Sequence, residues 1–226
     1  MTTIEPGFEA HLALPESGSG PGIVLLQEIF GVNDYVRDAA RRLAELGYVV
    51  LAPDLYWRTE PGLELGSDEM PRAFAAMKRL DPERAALDAL DTLAALRKMP
   101  EVTGGRAGVL GFCLGGWLAW LAAAQGDPDV AVCYYGSQIP DAIDLVDEID
   151  CPTLLHFGGA DPYIPRDRVD AVAELVATRD GLECRVWESA GHAFDNSFAP
   201  QFSNPPAAAA AWEITSAFLA RHLPPG

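Results

Sequence analysis

One cysteine in this sequence stands in a context that suits a catalytic nucleophile. Cys113 is central in Gly111-Phe112-Cys113-Leu114-Gly115, after the strand-like stretch RAGVL and before the helix-like stretch WLAWLAAA. A nucleophile on a sharp strand-to-helix turn needs small neighbours, because the chain on either side passes very close to it. A helix N-terminus also favours the thiolate over the thiol. The segment therefore predicts covalent catalysis by Cys113.

Two residues later in the chain are candidates to complete a catalytic triad. Asp161 follows the apolar stretch PTLLHFGG, in a loop that leaves the carboxyl end of a predicted strand. His192 follows ECRVWES, and Gly191 beside it permits a bent loop that presents the imidazole. We expect His192 to take the thiol proton and later to activate water, while Asp161 fixes its tautomer and stabilises the imidazolium. The order nucleophile, acid, histidine is typical of hydrolases with such a turn.

Two backbone amides and one carboxylate are expected around the reacting group. The N–H of Leu114, directly after the nucleophile, and the N–H of Ile29, in the loop after the first core strand, are predicted to hold an oxyanion. Glu28 lies in that same loop, where its negative charge would repel the oxyanion. From the residues alone, Glu28 is either a group that acts near the thiol or a solvated loop carboxylate.

The elements that must position these residues alternate between strands and helices. GIVLLQE and YVVLAPDL predict strands, and VNDYVRDAARRLAELG between them predicts a helix. Parallel strands need such crossovers, so we predict an α/β fold with a mostly parallel sheet and helices on both faces. FEAHLALP alternates moderately and is expected to form an edge strand. The remaining predicted strands are RAGVLGF, VAVCYYG, PTLLHFGG and ECRVWES, and the remaining helices cover about 68–80, 82–98, 115–125, 166–178 and 206–222.

Length, charge and cysteine content argue against several other classes of protein. A chain of 226 residues, 49% of them hydrophobic, is expected to form one domain over residues 1–226. The net charge of −17 repels phosphate backbones and anionic headgroups, so neither nucleic acid nor a membrane is an expected partner. The N-terminal segment has no signal-peptide pattern, and no apolar run approaches the roughly 20 residues of a membrane span, which predicts a cytoplasmic protein. The other cysteines lack a CxxC pair and are expected to be buried: Cys133, Cys151 and Cys184.

Several short motifs occur in the order in which they occur in a known family. QEIFGVN, APDLY, GFCLGG, YYG, GGxDPYIP and GHAFDN together resemble the dienelactone hydrolase family, over about residues 23–222. The resemblance implies an α/β-hydrolase fold, hydrolysis of a small lactone or related ester, and no cofactor. It implies the catalytic triad Cys113, His192 and Asp161. It also implies that Glu28 contacts the resting thiol and helps convert it to thiolate when substrate arrives.

The residues that contact the substrate are expected next to the triad and Glu28. The resemblance implies that Tyr135 or Tyr134 lines the pocket, although tyrosines at a strand end are more often packing residues. Phe194, two residues after the candidate histidine, is also expected to contact the substrate.

The sequence departs from the family at the two arginines that hold the substrate carboxylate in its lactone hydrolases. After the histidine, Ala193 and Asn196 stand where the family type has serine and arginine. Met70 aligns with the other arginine, and Arg72 nearby is either its substitute or a solvated helical residue. We expect Asn196 to contact the substrate, but a neutral amide binds a carboxylate less strongly than a guanidinium does. A neutral ester or another lactone is therefore expected.

Three functions are compatible with these residues. The leading hypothesis is a hydrolase of a small ester or lactone that acts through an acyl-enzyme on Cys113. The second is a carboxylesterase or thioesterase with the same triad, because pocket shape sets the substrate. The third is a binding protein without turnover, in which Cys113 would react with thiol reagents no faster than a buried cysteine. A metal hydrolase is disfavoured by the lack of an HExxH pattern, and we expect a monomer or small homo-oligomer.

Overall fold

One eight-stranded sheet runs through the chain in the computed structural model, which describes residues 2–4 and 7–226. In chain order the strands are β1 (Thr2–Ile4), β2 (Phe8–Ala13), β3 (Gly20–Leu26), β4 (Val49–Pro53), β5 (Val102–Phe112), β6 (Ala131–Tyr134), β7 (Thr153–Gly158) and β8 (Leu182–Trp187). Their spatial order is β1-β2-β4-β3-β5-β6-β7-β8, and every neighbouring pair from β4 to β8 is parallel. The predicted mostly parallel sheet is confirmed.

Helices connect the parallel strands as predicted. Within the described residues they are α1 (Asp34–Glu45), α2 (Met70–Met77), α3 (Pro82–Arg97), α4 (Leu114–Gln125), α5 (Arg166–Val176) and α6 (Pro205–His222). Asn33 caps α1 by accepting the N–H of Val36, and Asp81 caps α3 by accepting the N–H of Glu83. Two short 3-10 helices, Ile139–Asp141 and Ile143–Glu148, were not predicted.

The sheet separates two hydrophobic cores. Along β3, Val24 and Leu26 pack into the core that contains α3 and α4, whereas Ile23 and Leu25 pack into the core that contains α1 and α6. Successive side chains of a strand point to opposite faces, so a strand covered by helices on both faces must be apolar throughout. This explains why the sequence of β3 is a continuous apolar run.

The prediction that FEAHLALP forms an edge strand is wrong. These residues form β2, which lies between β1 and β4 and pairs antiparallel with both. The edge on that side is β1, and a strand of three residues is too short to produce a recognisable alternation of polar and apolar residues.

The carboxyl ends of the parallel strands gather the candidate site residues at one edge of the sheet. Glu28 follows β3, Cys113 follows β5, and Tyr135 follows β6. Asp161 and His192 come from the loops after β7 and β8. Residues far apart in sequence therefore meet where ligands of open α/β sheets bind.

Candidate active site

Cys113 occupies a strained turn between β5 and α4. Its backbone angles are φ 55° and ψ −114°, in a region that side chains other than glycine rarely adopt. A Cβ atom on Gly115 would lie 2.2 Å from the carbonyl oxygen of Leu26, so α4 can approach β3 only with glycine at this position. The sequence therefore forms the predicted sharp turn, with the thiol at the N-terminus of a helix.

The positive φ angles of residues other than glycine are concentrated near this thiol. Among the described residues other than glycine, only Cys113, Tyr135 and Ala193 have φ values in this range, the last two at 38° and 55°. Tyr135 ends the strand beside the turn, and Ala193 follows His192 directly. Such angles cost of order 1–3 kcal/mol each and persist only where the surrounding structure enforces them.

His192 and Asp161 form a directly bonded pair. The Nδ1 atom of His192 lies 2.7 Å from Oδ2 of Asp161, and Oδ1 of Asp161 accepts the N–H of Tyr163 at 2.8 Å. Burial lowers the pKa of His192, but the neighbouring Cys113 and Asp161 outweigh it and hold this pKa well above its usual value. These two neighbours therefore favour the protonated form of the His192 imidazole.

Glu28 is a buried carboxylate, and its interpretation as a solvated loop residue is wrong. It is 1% exposed and lines the same cavity as Cys113 and His192. Its Oε2 accepts a hydrogen bond from Nδ2 of Asn196 at 2.7 Å, whereas Oε1 has no partner among the described residues. Burial raises the pKa of Glu28 to about 7, against the lowering effects of the Asn196 hydrogen bond and the charge of His192. Glu28 can therefore change its charge near neutral pH.

The two predicted oxyanion donors lie on segments that are held against each other. The N–H of Gly115 donates to the carbonyl of Gln27 at 2.9 Å, which ties the start of α4 to the loop after β3. The hydroxyl of Tyr56 donates to the carbonyl of Ile29 at 2.9 Å. Leu114 is the first residue of α4, so its N–H has no partner within the helix. Ile29 lines the cavity, and the oxyanion role of both amides stays a prediction.

A cavity of about 310 Å³ opens above the sulfur of Cys113. Its polar lining includes Ser137, Gln138 and Asp141, and much of the remaining wall is apolar. Among the described residues, no lysine or arginine lines it. The wall is formed by Ile29, Phe30, Met70, Phe74, Met77 and Phe202.

Arg72 does not line this cavity, which agrees with its interpretation as a solvated helical residue. Its side chain is 56% exposed and binds Glu60 at 2.6 Å, with Glu69 at 3.5 Å. Met70, two positions earlier in α2, does line the cavity. Two positions along a helix turn a side chain by about 200°, so residues with this spacing point in opposite directions.

The aromatic residues predicted to contact the substrate lie behind the cavity wall. The hydroxyl of Tyr134 is 2.7 Å from Oγ1 of Thr215 in α6, and its ring is fully buried. Phe194 is also fully buried, with its ring 5.2 Å from that of Tyr135. The ring of Tyr135 lies 5.2 Å from that of His192, but neither tyrosine lines the cavity. Phe194 does not line the cavity either, nor does Asn196, which binds Glu28; the substrate contacts of these four residues stay predictions.

Tyr163 is a cavity residue that the sequence analysis missed. Its side chain lines the cavity, and its ring lies 5.0 Å from that of His192 at an interplanar angle of 77°. The residue is 49% exposed, which is high for a large aromatic side chain. Its position two residues after Asp161, in the same loop, is the sequence signal that could have identified it.

Comparison with known proteins identifies the family of this chain. The sequence profile of the dienelactone hydrolase family matches residues 8–223. The chain belongs to this family. A carboxymethylenebutenolidase from a Pseudomonas species is 35% identical over 222 residues, covering 97% of this chain and 92% of that protein. One from Pseudomonas putida is 36% identical over 190 residues, covering 83% and 80%. The solved structure of a dienelactone hydrolase-like promiscuous phosphotriesterase from metagenomic libraries has a TM-score of 0.77 at 26% identity, covering 96% and 92%.

Membership of the dienelactone hydrolase family settles the fold class and the class of reaction. The chain has the α/β-hydrolase fold and is a hydrolase that acts on lactone or ester bonds, as the sequence motifs predicted. Over residues 2–4 and 7–226, no helix is both long and apolar enough to cross a membrane. Within the same residues, no cluster of three or more histidine, cysteine, aspartate or glutamate side chains is arranged to hold a metal ion.

Proposed function

We propose that this hydrolase cleaves small neutral esters or lactones through an acyl-enzyme on Cys113. His192 acts as the general base and general acid, and Asp161 orients it. The observation that carries this proposal is the 2.7 Å bond between His192 Nδ1 and Asp161 Oδ2, next to a cavity that His192 lines together with Cys113. The nucleophile and the base then face one cavity, and the orienting acid is buried against the base.

The proposed reaction begins with transfer of the thiol proton to His192. The thiolate of Cys113 attacks the carbonyl carbon, and the oxyanion accepts hydrogen bonds from the N–H groups of Ile29 and Leu114. His192 then donates its proton to the leaving alkoxide, which leaves the acyl group on sulfur. In the second half, His192 removes a proton from water, the hydroxide attacks the thioester, and the sulfur leaves as thiolate.

Glu28 is proposed to favour the reactive form of the thiol through its charge. Its ionised carboxylate and the imidazolium of His192 attract each other, since the charge of His192 is one of the effects that lower the pKa of Glu28. The same attraction stabilises His192 after it has received the thiol proton. An ionised Glu28 therefore increases the fraction of Cys113 that is thiolate.

The cavity wall favours a neutral substrate. Glu28 and Asp141 are its acidic residues, and the apolar wall includes Met70, Phe74 and Met77. A substrate carboxylate would lose its hydration here without gaining a lysine or arginine partner. A volume of about 310 Å³ lies at the small end of the range for ligand pockets. A short acyl group and a modest alcohol or lactone ring fit these properties.

The test is hydrolysis of p-nitrophenyl acetate and of its analogue with a carboxylate on the acyl chain, by the wild type and by Cys113→Ala. We expect preference for the neutral ester and loss of both activities in the variant. Cys151→Ala is the matched control, because Cys151 is a partly buried thiol outside the cavity. Burial raises the pKa of Cys151, so iodoacetamide should alkylate Cys113 much faster.

Three results would contradict the proposal. Full activity in Cys113→Ala would show that Cys113 is not the nucleophile. Preference for the anionic ester would show that a carboxylate site exists. Absence of turnover together with slow alkylation of Cys113 would support a binding protein on this fold.

A further inference from the structure

The two peptide groups on either side of Ile29 are each held by a buried side chain. The carbonyl of Glu28, in the first peptide group, accepts a hydrogen bond from Nε2 of Gln27 at 3.3 Å. The carbonyl of Ile29, in the second, accepts one from the hydroxyl of Tyr56 at 2.9 Å. Gln27 and Tyr56 are both fully buried. Because residues 27–30 lie outside the strands and helices, side chains supply bonds here that regular structure would otherwise supply.

The direction of the Gln27 amide is fixed by its second partner. Its Oε1 accepts the N–H of Leu55 at 3.2 Å. A backbone N–H can only donate, so the amide oxygen must face Leu55 and the amide nitrogen must face the carbonyl of Glu28. The carboxylate of Asp54, before Leu55, accepts the N–H of Tyr56, after it, at 2.9 Å. Gln27 therefore ties a well-held loop after β4 to the loop after β3.

The bond from Gln27 sets the direction of the Ile29 N–H. A trans peptide group is planar, and its C=O and N–H point in opposite directions. Since Gln27 holds the C=O of Glu28 on one side, the N–H of Ile29 points to the other. This N–H donates to no group among the residues that the structure describes, although Ile29 is only 5% exposed. Buried backbone N–H groups are almost always paired, and Ile29 lines the cavity, so this N–H is available to an acceptor there.

We propose that Gln27 and Tyr56 are positioning residues for the oxyanion site: they orient the peptide groups that flank Ile29, so that its N–H points at the developing oxyanion. Gln27 acts on the peptide group that contains this N–H, and Tyr56 holds the next one. The inference rests on the proposed oxyanion role of Ile29. A donor that is already oriented needs no reorganisation when charge develops, and a hydrogen bond weakens steeply when its angle departs from linearity.

Two reactions of the Cys113 thiolate separate this role from general support of the active site. In ester hydrolysis, the thiolate attacks the carbonyl carbon, and the carbonyl oxygen takes up the negative charge. In alkylation by iodoacetamide, the thiolate displaces iodide, and the negative charge leaves with the iodide ion. Both reactions need the thiolate, but only hydrolysis needs the oxyanion donors. Displacement of Cys113 or His192 would slow both reactions.

Gln27→Met removes the amide and keeps the length of the side chain. We expect kcat for p-nitrophenyl acetate to fall by about 10- to 10³-fold, because loss of one oxyanion donor costs about 10²–10³-fold. The rate of Cys113 alkylation should stay within a few fold of the wild type. Tyr56→Phe should show the same split with a smaller fall in kcat, because Tyr56 acts on the neighbouring peptide group.

The matched control is Tyr48→Phe. It also loses a buried hydrogen bond to a backbone carbonyl, that of Leu223 at 3.0 Å, but Tyr48 does not line the cavity. Both reactions should therefore keep their wild-type rates. If Gln27→Met does not fold, Gln27→Asn replaces it, because an amide shortened by one methylene group cannot hold both Leu55 and Glu28.

A fall in kcat without a fall in alkylation, in the variants of Gln27 and Tyr56 but not in Tyr48→Phe, supports the positioning role. Equal losses in both reactions, or unchanged hydrolysis, overturn it. A split in Tyr56→Phe alone overturns the role of Gln27, and a split in Gln27→Met alone overturns that of Tyr56.

Exchange of the Ile29 N–H for an ester oxygen tests the proposed oxyanion role by itself. The α-hydroxy analogue of isoleucine, incorporated at position 29, removes the N–H and keeps the side chain. If this change lowers kcat and Gln27→Met does not, the oxyanion role stands and the positioning role of Gln27 fails. If the ester leaves kcat unchanged, the oxyanion role of Ile29 is overturned, and the positioning inference with it.

Discussion

Replacement of Asp161 by asparagine should reverse the tautomer of His192. The Oδ1 atom of Asp161 accepts the N–H of Tyr163, so the asparagine carbonyl oxygen will take this position. The amide NH₂ then faces Nδ1 of His192, across the distance that is 2.7 Å in the structure. Because an NH₂ group only donates, Nδ1 becomes the acceptor and the ring proton moves to Nε2. That nitrogen can then no longer accept the thiol proton of Cys113.

The size of the loss follows from the interactions removed. A hydrogen bond to a charged group contributes about 1.5–3 kcal/mol, which corresponds to roughly 10- to 100-fold in rate. The wrong tautomer of His192 increases this loss of rate further. The same change in a Ser-His-Asp triad costs about 10⁴-fold in kcat. We therefore expect kcat for p-nitrophenyl acetate to fall between about 10²- and 10⁴-fold.

The matched control is Asp141→Asn. Asp141 also lines the cavity, but its carboxylate pairs with Arg168 at 2.6 Å and not with the histidine. This variant should keep kcat within a few fold of the wild type. A loss of less than about tenfold in Asp161→Asn would refute the tautomer argument, because even one charged hydrogen bond contributes more than that.

Three further changes test the charge of Glu28, the packing around Gly115 and the apolar wall of the cavity. In the wild type, the rate of Cys113 alkylation should rise as pH rises through about 7, because burial raises the pKa of Glu28 to about 7 and its ionised form stabilises the imidazolium; Glu28→Gln should lack this rise. Gly115→Ala places a Cβ 2.2 Å from the Leu26 carbonyl oxygen; it should lower the free energy of unfolding by at least about 1–3 kcal/mol, measured by thermal unfolding. Met70→Arg introduces a guanidinium into the cavity wall; it should increase kcat/KM for the anionic ester relative to the neutral ester by roughly tenfold or more.

Each of these changes has a control. Glu64→Gln removes an exposed carboxylate outside the cavity and should leave the alkylation profile unchanged. Gly191→Ala meets its nearest atom at 3.9 Å, so it should unfold close to the wild-type temperature. Met70→Gln adds polarity without charge and should not change the substrate preference. An unaltered profile in Glu28→Gln, a fully stable Gly115→Ala, or a Met70→Arg that behaves like Met70→Gln would each contradict the corresponding argument.

Local patterns in the sequence were enough to predict most of the architecture. The strand and helix order follows from apolar runs that are buried on both faces and from caps such as Asn33 and Asp81. The turn at Cys113 is predicted by the small residues it requires. β1 escaped prediction because three residues carry no periodicity, and the short 3-10 helices escaped because their bonds are local and weakly patterned.

The direction of individual side chains could not be predicted from the sequence. Tyr134 and Tyr135 are neighbours, and the direction of each side chain depends on the register of β6 in the sheet. Arg72 differs from Met70 only by a rotation about α2. The bond between Asn196 and Glu28 joins residues on different loops, so only the tertiary structure brings them together.

The backbone of the site has a consequence for how the enzyme should lose activity on heating. Cys113, Tyr135 and Ala193, the described residues other than glycine with positive φ, are all close to the reacting groups, and each is kept in place by its surroundings. When the packing around them loosens, these three residues release backbone strain energy by relaxing to ordinary φ angles, which other residues do not. Segments that open most easily do so before the whole domain unfolds. Thermal inactivation should therefore begin at the catalytic loops, at temperatures where the sheet beneath them is still intact.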